Sequence, residues 1–135
     1  METEKIVTLP KIEDYRGNLS FIEEFSQVPF KILRTYWLNG LNCTEITRGH
    51  AFKKQGVFIV VLSGSIDIEV HSGQSVNNHT LNQPNIGLYI PPNLWRKMIN
   101  ISKNSLILIV CSTIYDKDDL ILDYLEFKEL ISDRK

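Results

Sequence analysis

Cysteine is scarce in this chain: Cys43 and Cys111 stand far apart and outside any CxxC pair. That leaves neither a disulfide framework nor a zinc knuckle to organise it. No charge of one sign prevails either, since 15 Lys and Arg face 16 Asp and Glu; without a basic footprint, no nucleic acid polymer and no anionic membrane is expected as a partner. Nowhere do eighteen apolar residues run together, and the opening METEKIVTLP has no basic n-region and no long apolar h-region, so the expected place is the cytoplasm, in solution. Internal repeats, low-complexity tracts and Pro/Gly/Ser-rich linkers are also missing, and residues 1–135 are therefore expected to form a single domain.

What the chain does have is apolar residues, 43% of 135, enough for one sizeable core. Runs rich in Ile, Val, Leu, Phe and Tyr recur with turn chemistry between them, the pattern of an all-β sandwich or barrel. The predicted strands are residues 5–9, 18–25, 30–38, 56–64, 65–70, 75–82, 86–91, 95–102 and 105–113. In SIDIEV, Ile66, Ile68 and Val70 alternate with Asp67 and Glu69, which buries one face and wets the other. IVTL and VFIVVL are apolar on both faces, as in strands between two layers or at a subunit interface. Gly64 in SGS and the HSGQ segment read as tight reversals, each closing a hairpin. Residues 115–135 carry apolar residues at mixed three- and four-residue spacings among acidic ones, predicting a short C-terminal helix or two. Cys111 reads as core, Trp37 and Trp95 as core or interface, and His71 and His79 as solvated.

The order of these pieces, two hairpins followed by IGLYIPPNLWRKM, resembles a small double-sheet jelly roll of the cupin type. Metal-binding cupins place two histidines one residue apart, a carboxylate soon after and a third histidine on a later strand; residues i and i+2 of a strand share a face, which explains the spacing. Here the positions read His50-Ala51-Phe52, KKQGVF supplies no carboxylate, and Arg96 stands where the third histidine would be. One histidine of three falls short of the ligand number that first-row ions take. No metal and no cofactor is expected.

Six segments in order, EDYRGNLSFIEE, VPFKILRTYWL, RGHAFKK, VVLSGSIDIEV, LNQPNIGLYIPPNLWRKM and CSTIYDKDDLILDYLEF, resemble the cupin 3,4-ketoisomerases of dTDP-4-keto-6-deoxyglucose, from the biosynthesis of bacterial surface sugars. The resemblance spans nearly the whole chain. It implies a cupin-type double-stranded β-helix, a homodimer of exchanged strands, catalysis without metal, and a dTDP-linked 4-keto-6-deoxy sugar as substrate. His50 matches the first histidine of the family's RGxHAHK signature, whereas Phe52 falls at the second, Val57 where glutamine is common, and Thr47 in register with the signature arginine, with Arg48 beside it.

In such a sugar the C3 hydrogen lies alpha to a carbonyl, and a neutral imidazole, with an ordinary pKa of about 6.5, suits taking and returning that proton. His50 is the expected acid–base residue. Tyr36 and Arg34, two apart on one strand, are the expected donors to the growing enediolate charge, Tyr36 foremost because the family has tyrosine there; Arg96 is a second donor or a diphosphate contact. Arg16, Arg48 and Lys97 are further candidates for the diphosphate. The side chain at the Arg96 position goes with product stereochemistry in the family while Arg16 points the other way, so gluco and galacto both stay open. Phe52 likewise leaves two readings: a non-catalytic or altered-chemistry sugar-nucleotide binder, or an aromatic neighbour that desolvates His50 and lowers its pKa.

Overall fold

The computed structural model describes residues 2–45 and 49–133; Arg48, one of the expected diphosphate contacts, lies outside the described residues. Strands dominate: β1 (Lys5–Thr8), β2 (Lys11–Asp14), β3 (Gly17–Ser20), β4 (Arg34–Leu38), β5 (Ala51–Phe52), β6 (Val57–Ser63), β7 (Ile66–His71), β8 (Val76–Leu81), β9 (Ile86–Ile90), β10 (Trp95–Ile99), β11 (Leu106–Cys111) and β12 (Leu120–Ile121), followed by one helix, α1 (Tyr124–Asp133). A five-stranded antiparallel sheet runs β1-β9-β6-β11-β4, and a three-stranded one β10-β7-β8. β5 pairs with β12, and β2 with β3.

The period-two pattern does the sorting. Val57, Ile59 and Val61 of β6 point inward to meet Ile66, Ile68 and Val70 of β7, with Leu88, Ile107 and Ile109 completing a core between the two sheets. Phe58 and Val60 point the other way and are covered by Leu9, Val28 and Phe30, so β6 is buried on both faces as its composition predicts. A third cluster packs Phe127 and Ile131 of α1 on Ala51, Trp95 and Ile121. Each fully buried aliphatic or aromatic side chain of this kind stabilises the fold by roughly 1.5–3 kcal/mol before entropy is counted.

Several expectations change. Ser63-Gly64-Ser65 is a corner and not a hairpin: β6 and β7 belong to different sheets, and Gly64, at φ +94°, turns the chain from one layer to the other with no room for a Cβ against Ser105. HSGQ does close the β7–β8 hairpin. The long strands predicted for residues 18–25 and 30–38 shrink to Gly17–Ser20 and Arg34–Leu38. Between them the backbone is tied by side chains, Glu23 N–H donating to Gln27 Oε1 and Ile32 N–H to Glu24 Oε2, which replaces a sheet ladder. Ile6 of β1 is 48% exposed and Trp37 60%; neither is core within this chain. His71 and His79 are half-buried and bonded rather than solvated, His71 between Tyr124 Oη and Glu69, His79 on Glu4.

Candidate active site

β5 is only two residues long, yet it sets the site. Just before it, His50 pairs with Arg96 of β10 in an isolated antiparallel bridge: His50 N–H donates to the Arg96 carbonyl (3.0 Å) and Arg96 N–H to the His50 carbonyl (2.8 Å). Directly opposed residues of such a pair project to the same side, so imidazole and guanidinium share one wall. Asp119, buried, holds the far end of this segment by accepting from Lys54 N–H (2.8 Å) and Gln55 N–H (3.0 Å). The near end is fixed by Gly49, at φ +105°, where an added Cβ would lie 2.5 Å from Trp95 Nε1. The indole of β10 thus presses on the backbone that carries His50.

The cavity holds about 160 Å³ and is lined by Tyr36, His50, Phe52 and Arg96 with an apolar remainder that includes Met98 and Ile109. That volume is on the scale of a single six-membered ring and well under the roughly 300–1,000 Å³ of a site for a larger ligand. A sugar ring, and not its nucleotide, matches it in size. The Phe52 ring meets His50 edge-on, centroids 5.2 Å apart at 85°, and the Arg96 guanidinium carbon lies 5.1 Å from the Phe52 centroid.

Burial, with the charge of Arg96 adding to it, pushes the His50 imidazole down to about 3. Its ring is therefore neutral at physiological pH. Burial also draws Arg96 down to about 10, which leaves it cationic. Arg96 Nη2 donates to the Leu94 carbonyl (3.3 Å), while Nε finds no partner among the described residues. An unmet buried donor is costly, and here it sits at a cavity of ligand size. Burial likewise raises the Tyr36 phenol above its ordinary value, keeping it protonated and able to donate, and raises the Cys111 thiol to about 11. No cluster of three or more His, Cys, Asp or Glu side chains able to hold a metal ion occurs among the described residues.

Of the residues expected from sequence, the structure brings His50, Tyr36 and Arg96 into one cavity. Arg34, expected with Tyr36 as a donor to the enediolate, does not line it: the guanidinium is stacked 4.6 Å over the Tyr36 ring and 5.2 Å from that of Tyr115. Arg16 is elsewhere, at the tip of the β2–β3 hairpin, with Nη2 bonded to Asp14 Oδ2 (2.6 Å). Lys97, next to Arg96 on β10, has its amine 2.7 Å from Glu45 Oε1 in an ion pair. The Asp119 clamp, the Trp95–Gly49 contact and the Phe52–Arg96 stack were not anticipated. Nothing in DKDDL singles out one aspartate for burial, and arginine is seldom fully buried.

The family model described as FdtA: WxcM-like, C-terminal, matches residues 2–132. The chain belongs to the WxcM-like FdtA family. This member is 34% identical, over 95% of its length and 92% of the relative's, to a TDP-4-oxo-6-deoxy-alpha-D-glucose-3,4-oxoisomerase of Aneurinibacillus thermoaerophilus. Its fold matches the WlaRB TDP-quinovose 3,4-ketoisomerase of Campylobacter jejuni with a TM-score of 0.91 at 35% identity, covering 96% of this chain and 99% of that one. It also matches a histidine-to-asparagine mutant of the 3,4-ketoisomerase QdtA of Thermoanaerobacterium thermosaccharolyticum, crystallised with TDP-4-keto-6-deoxyglucose, with a TM-score of 0.92 at 30% identity, covering 99% and 97%. The all-β cupin architecture expected from the sequence is thus the architecture found.

Proposed function

We propose that this protein is a sugar-nucleotide 3,4-ketoisomerase, which moves the keto group of a dTDP-4-keto-6-deoxyhexose from C4 to C3. The observation that carries this reading is the pairing of one neutral imidazole with one buried, incompletely bonded guanidinium in a cavity sized for a sugar ring, in a chain whose relatives are named for that reaction. The chemistry closes within the substrate, C4 being reduced as C3 is oxidised, so the stoichiometry calls for no external electron acceptor.

The C3–H bond breaks with its proton passing to His50; the electron pair forms C3=C4 and displaces the carbonyl pair onto O4. In this reading Arg96 and the protonated Tyr36 phenol, which both line the cavity, donate to that oxygen as its charge grows, the kind of preorganised stabilisation that is worth most in a dry site. His50 then returns the proton to C4, while the O3 proton moves to O4. A base that rests at about 3 accepts a proton poorly until negative charge appears beside Arg96. Enediolate formation supplies that charge, so the imidazolium is favoured only along the reaction path. General acid–base help of this type contributes about 10²–10⁴-fold.

Outside the cavity, Arg34 is the cation best placed to meet the diphosphate, being half-buried beside Tyr36 and without an ion pair among the described residues. Arg16 and Lys97 would reach a ligand only by exchanging their present carboxylate partners. A homodimer is supported by the apolar side chains that β1 and the β2–β3 hairpin leave exposed, Ile6, Ile12, Tyr15 and Leu19, and by the apolar groove that Leu9, Ile22, Val60 and Leu108 line on the outer face of the large sheet. Light scattering is expected to give twice the chain mass.

The test is to incubate the purified protein with dTDP-4-keto-6-deoxyglucose in D₂O and follow C3 deuterium incorporation and the C3 ketone by NMR. Turnover by wild type and its loss in His50→Asn are expected. Tight dTDP binding with no exchange would instead indicate a non-catalytic sugar-nucleotide receptor.

A further inference from the structure

Phe52 touches two of the polar residues of the cavity, His50 and Arg96. Its edge meets the His50 ring, and its ring lies against the guanidinium of Arg96. Arg96 is 2% exposed, and no carboxylate forms an ion pair with it among the described residues. Its only hydrogen bond from the side chain to protein runs to the Leu94 carbonyl at 3.3 Å among the described residues. A buried cation so thinly bonded needs another source of stabilisation, and the face of an aromatic ring is one, its quadrupole attracting the charge most strongly where water is absent. Asp119 acts on Arg96 only as a more distant charge, since its oxygens are taken by Lys54 and Gln55 N–H groups.

Four rotatable bonds separate the Arg96 backbone from its head group, and one hydrogen bond does not fix such a chain. A ring on which the planar head rests does. Because Phe52 lies two residues beyond His50 on the same face, one backbone segment sets the imidazole and, through the ring, the guanidinium. We infer that Phe52 is a positioning residue, which holds the Arg96 guanidinium beside His50 so that one imidazole and one cation together carry the hydrogen transfer between C3 and C4.

This rests on the isomerase reading above, and the experiment separates the two. Phe52→Leu keeps an apolar side chain but removes the quadrupole, whereas Phe52→Tyr keeps both. In Phe52→Leu, kcat is expected to fall about tenfold or more with KM near its wild-type value, because the misplaced group meets charge that exists only in the transition state. Phe52→Tyr is expected to retain most of the rate. Loss of rate in both variants alike, or a rise in KM alone, would overturn the inference. The Arg96 Nε–H proton reports the geometry without any turnover: it should be shifted upfield by the ring current in wild type and Phe52→Tyr and move downfield in Phe52→Leu. An unchanged shift in Phe52→Leu would overturn the positioning role, even if wild type proved inactive and the isomerase reading fell. Should Phe52→Leu not fold, Phe52→Met tests the same point.

Discussion

His50 and Arg96 face one another across a single antiparallel bridge, tied by two reciprocal backbone hydrogen bonds of 3.0 and 2.8 Å. A prospective proton acceptor is thereby fixed beside a permanent positive charge. The arrangement opposes protonation of the resting imidazole and rewards an anion formed next to it, which is differential binding expressed in charge.

The same arrangement makes stability depend on acidity. In the folded chain His50 is pushed down to about 3, whereas unfolded it titrates near 6.5, so between those values the unfolded state binds the additional proton. Stability therefore falls as pH drops below about 6.5, with a slope of up to about 1.4 kcal/mol per pH unit from this group. Urea denaturation at pH 7, 6 and 5 should show His50→Asn losing less stability than wild type on acidification; equal slopes would contradict the burial of this ring.

Activity should be blind to the ordinary histidine pKa. With the imidazole neutral well below pH 6, kcat/KM, which reports the free enzyme, is expected to stay level from pH 8 to pH 5. A half-maximal point near pH 6.5 would mean that the ring is not desolvated beside Arg96 in solution.

Arg96 is a buried cation where the core would favour an apolar side chain. Arg96→Met substitutes an apolar side chain for a buried cation whose Nε has no partner among the described residues, and such replacements are often neutral or stabilising. We expect a melting temperature equal to or above that of wild type, together with a loss of about 10²–10³ in kcat. A strongly destabilised variant would show that the guanidinium has partners beyond those described.

Gly49 and Trp95 should be energetically coupled. Gly49→Ala places a Cβ 2.5 Å from Trp95 Nε1 at a backbone φ of +105°, and is expected to cost about 2 kcal/mol or more. Adding Trp95→Leu relieves the overlap but not the dihedral strain, so the double variant should be more stable than the sum of the two single losses predicts. Additive losses would contradict a direct contact.

Much of the sandwich is written in local pattern. Alternation along SIDIEV places Ile66, Ile68 and Val70 in the core as read, and the doubly apolar VFIVVL becomes a strand buried on both faces. What local pattern does not carry is the choice of partner. SGS turns the chain whether the next strand pairs with the last or crosses to the other sheet, and only the packing of both layers decides that it crosses. β5, two residues long, is too short for any period to register, and the irregular stretch after Ser20 has strand-like composition but satisfies its backbone through Glu24 and Gln27.

The site divides in the same way. His50, Tyr36 and Arg96 were reachable from residue type, spacing and the ordered resemblance, because chemistry restricts which side chains can serve. Their supports were not. Phe52 against Arg96, Asp119 under Lys54 and Gln55, and Trp95 over Gly49 are contacts between segments distant in sequence or ordinary in composition, and they exist only once the sheets close. Arginine is seldom fully buried, so the expectation that Arg96 serves the site did not foretell its burial, which follows because its strand neighbour Trp95 faces α1 and turns Arg96 to the cavity.

The β2–β3 ribbon is exposed along all eight of its residues. An isolated two-stranded ribbon is marginal in water, and in the homodimer proposed above a second copy of the chain would cover it. If the ribbon is ordered in that way, dilution would open the Asp14–Gly17 turn to a protease, and nicking there would record dissociation of the proposed dimer.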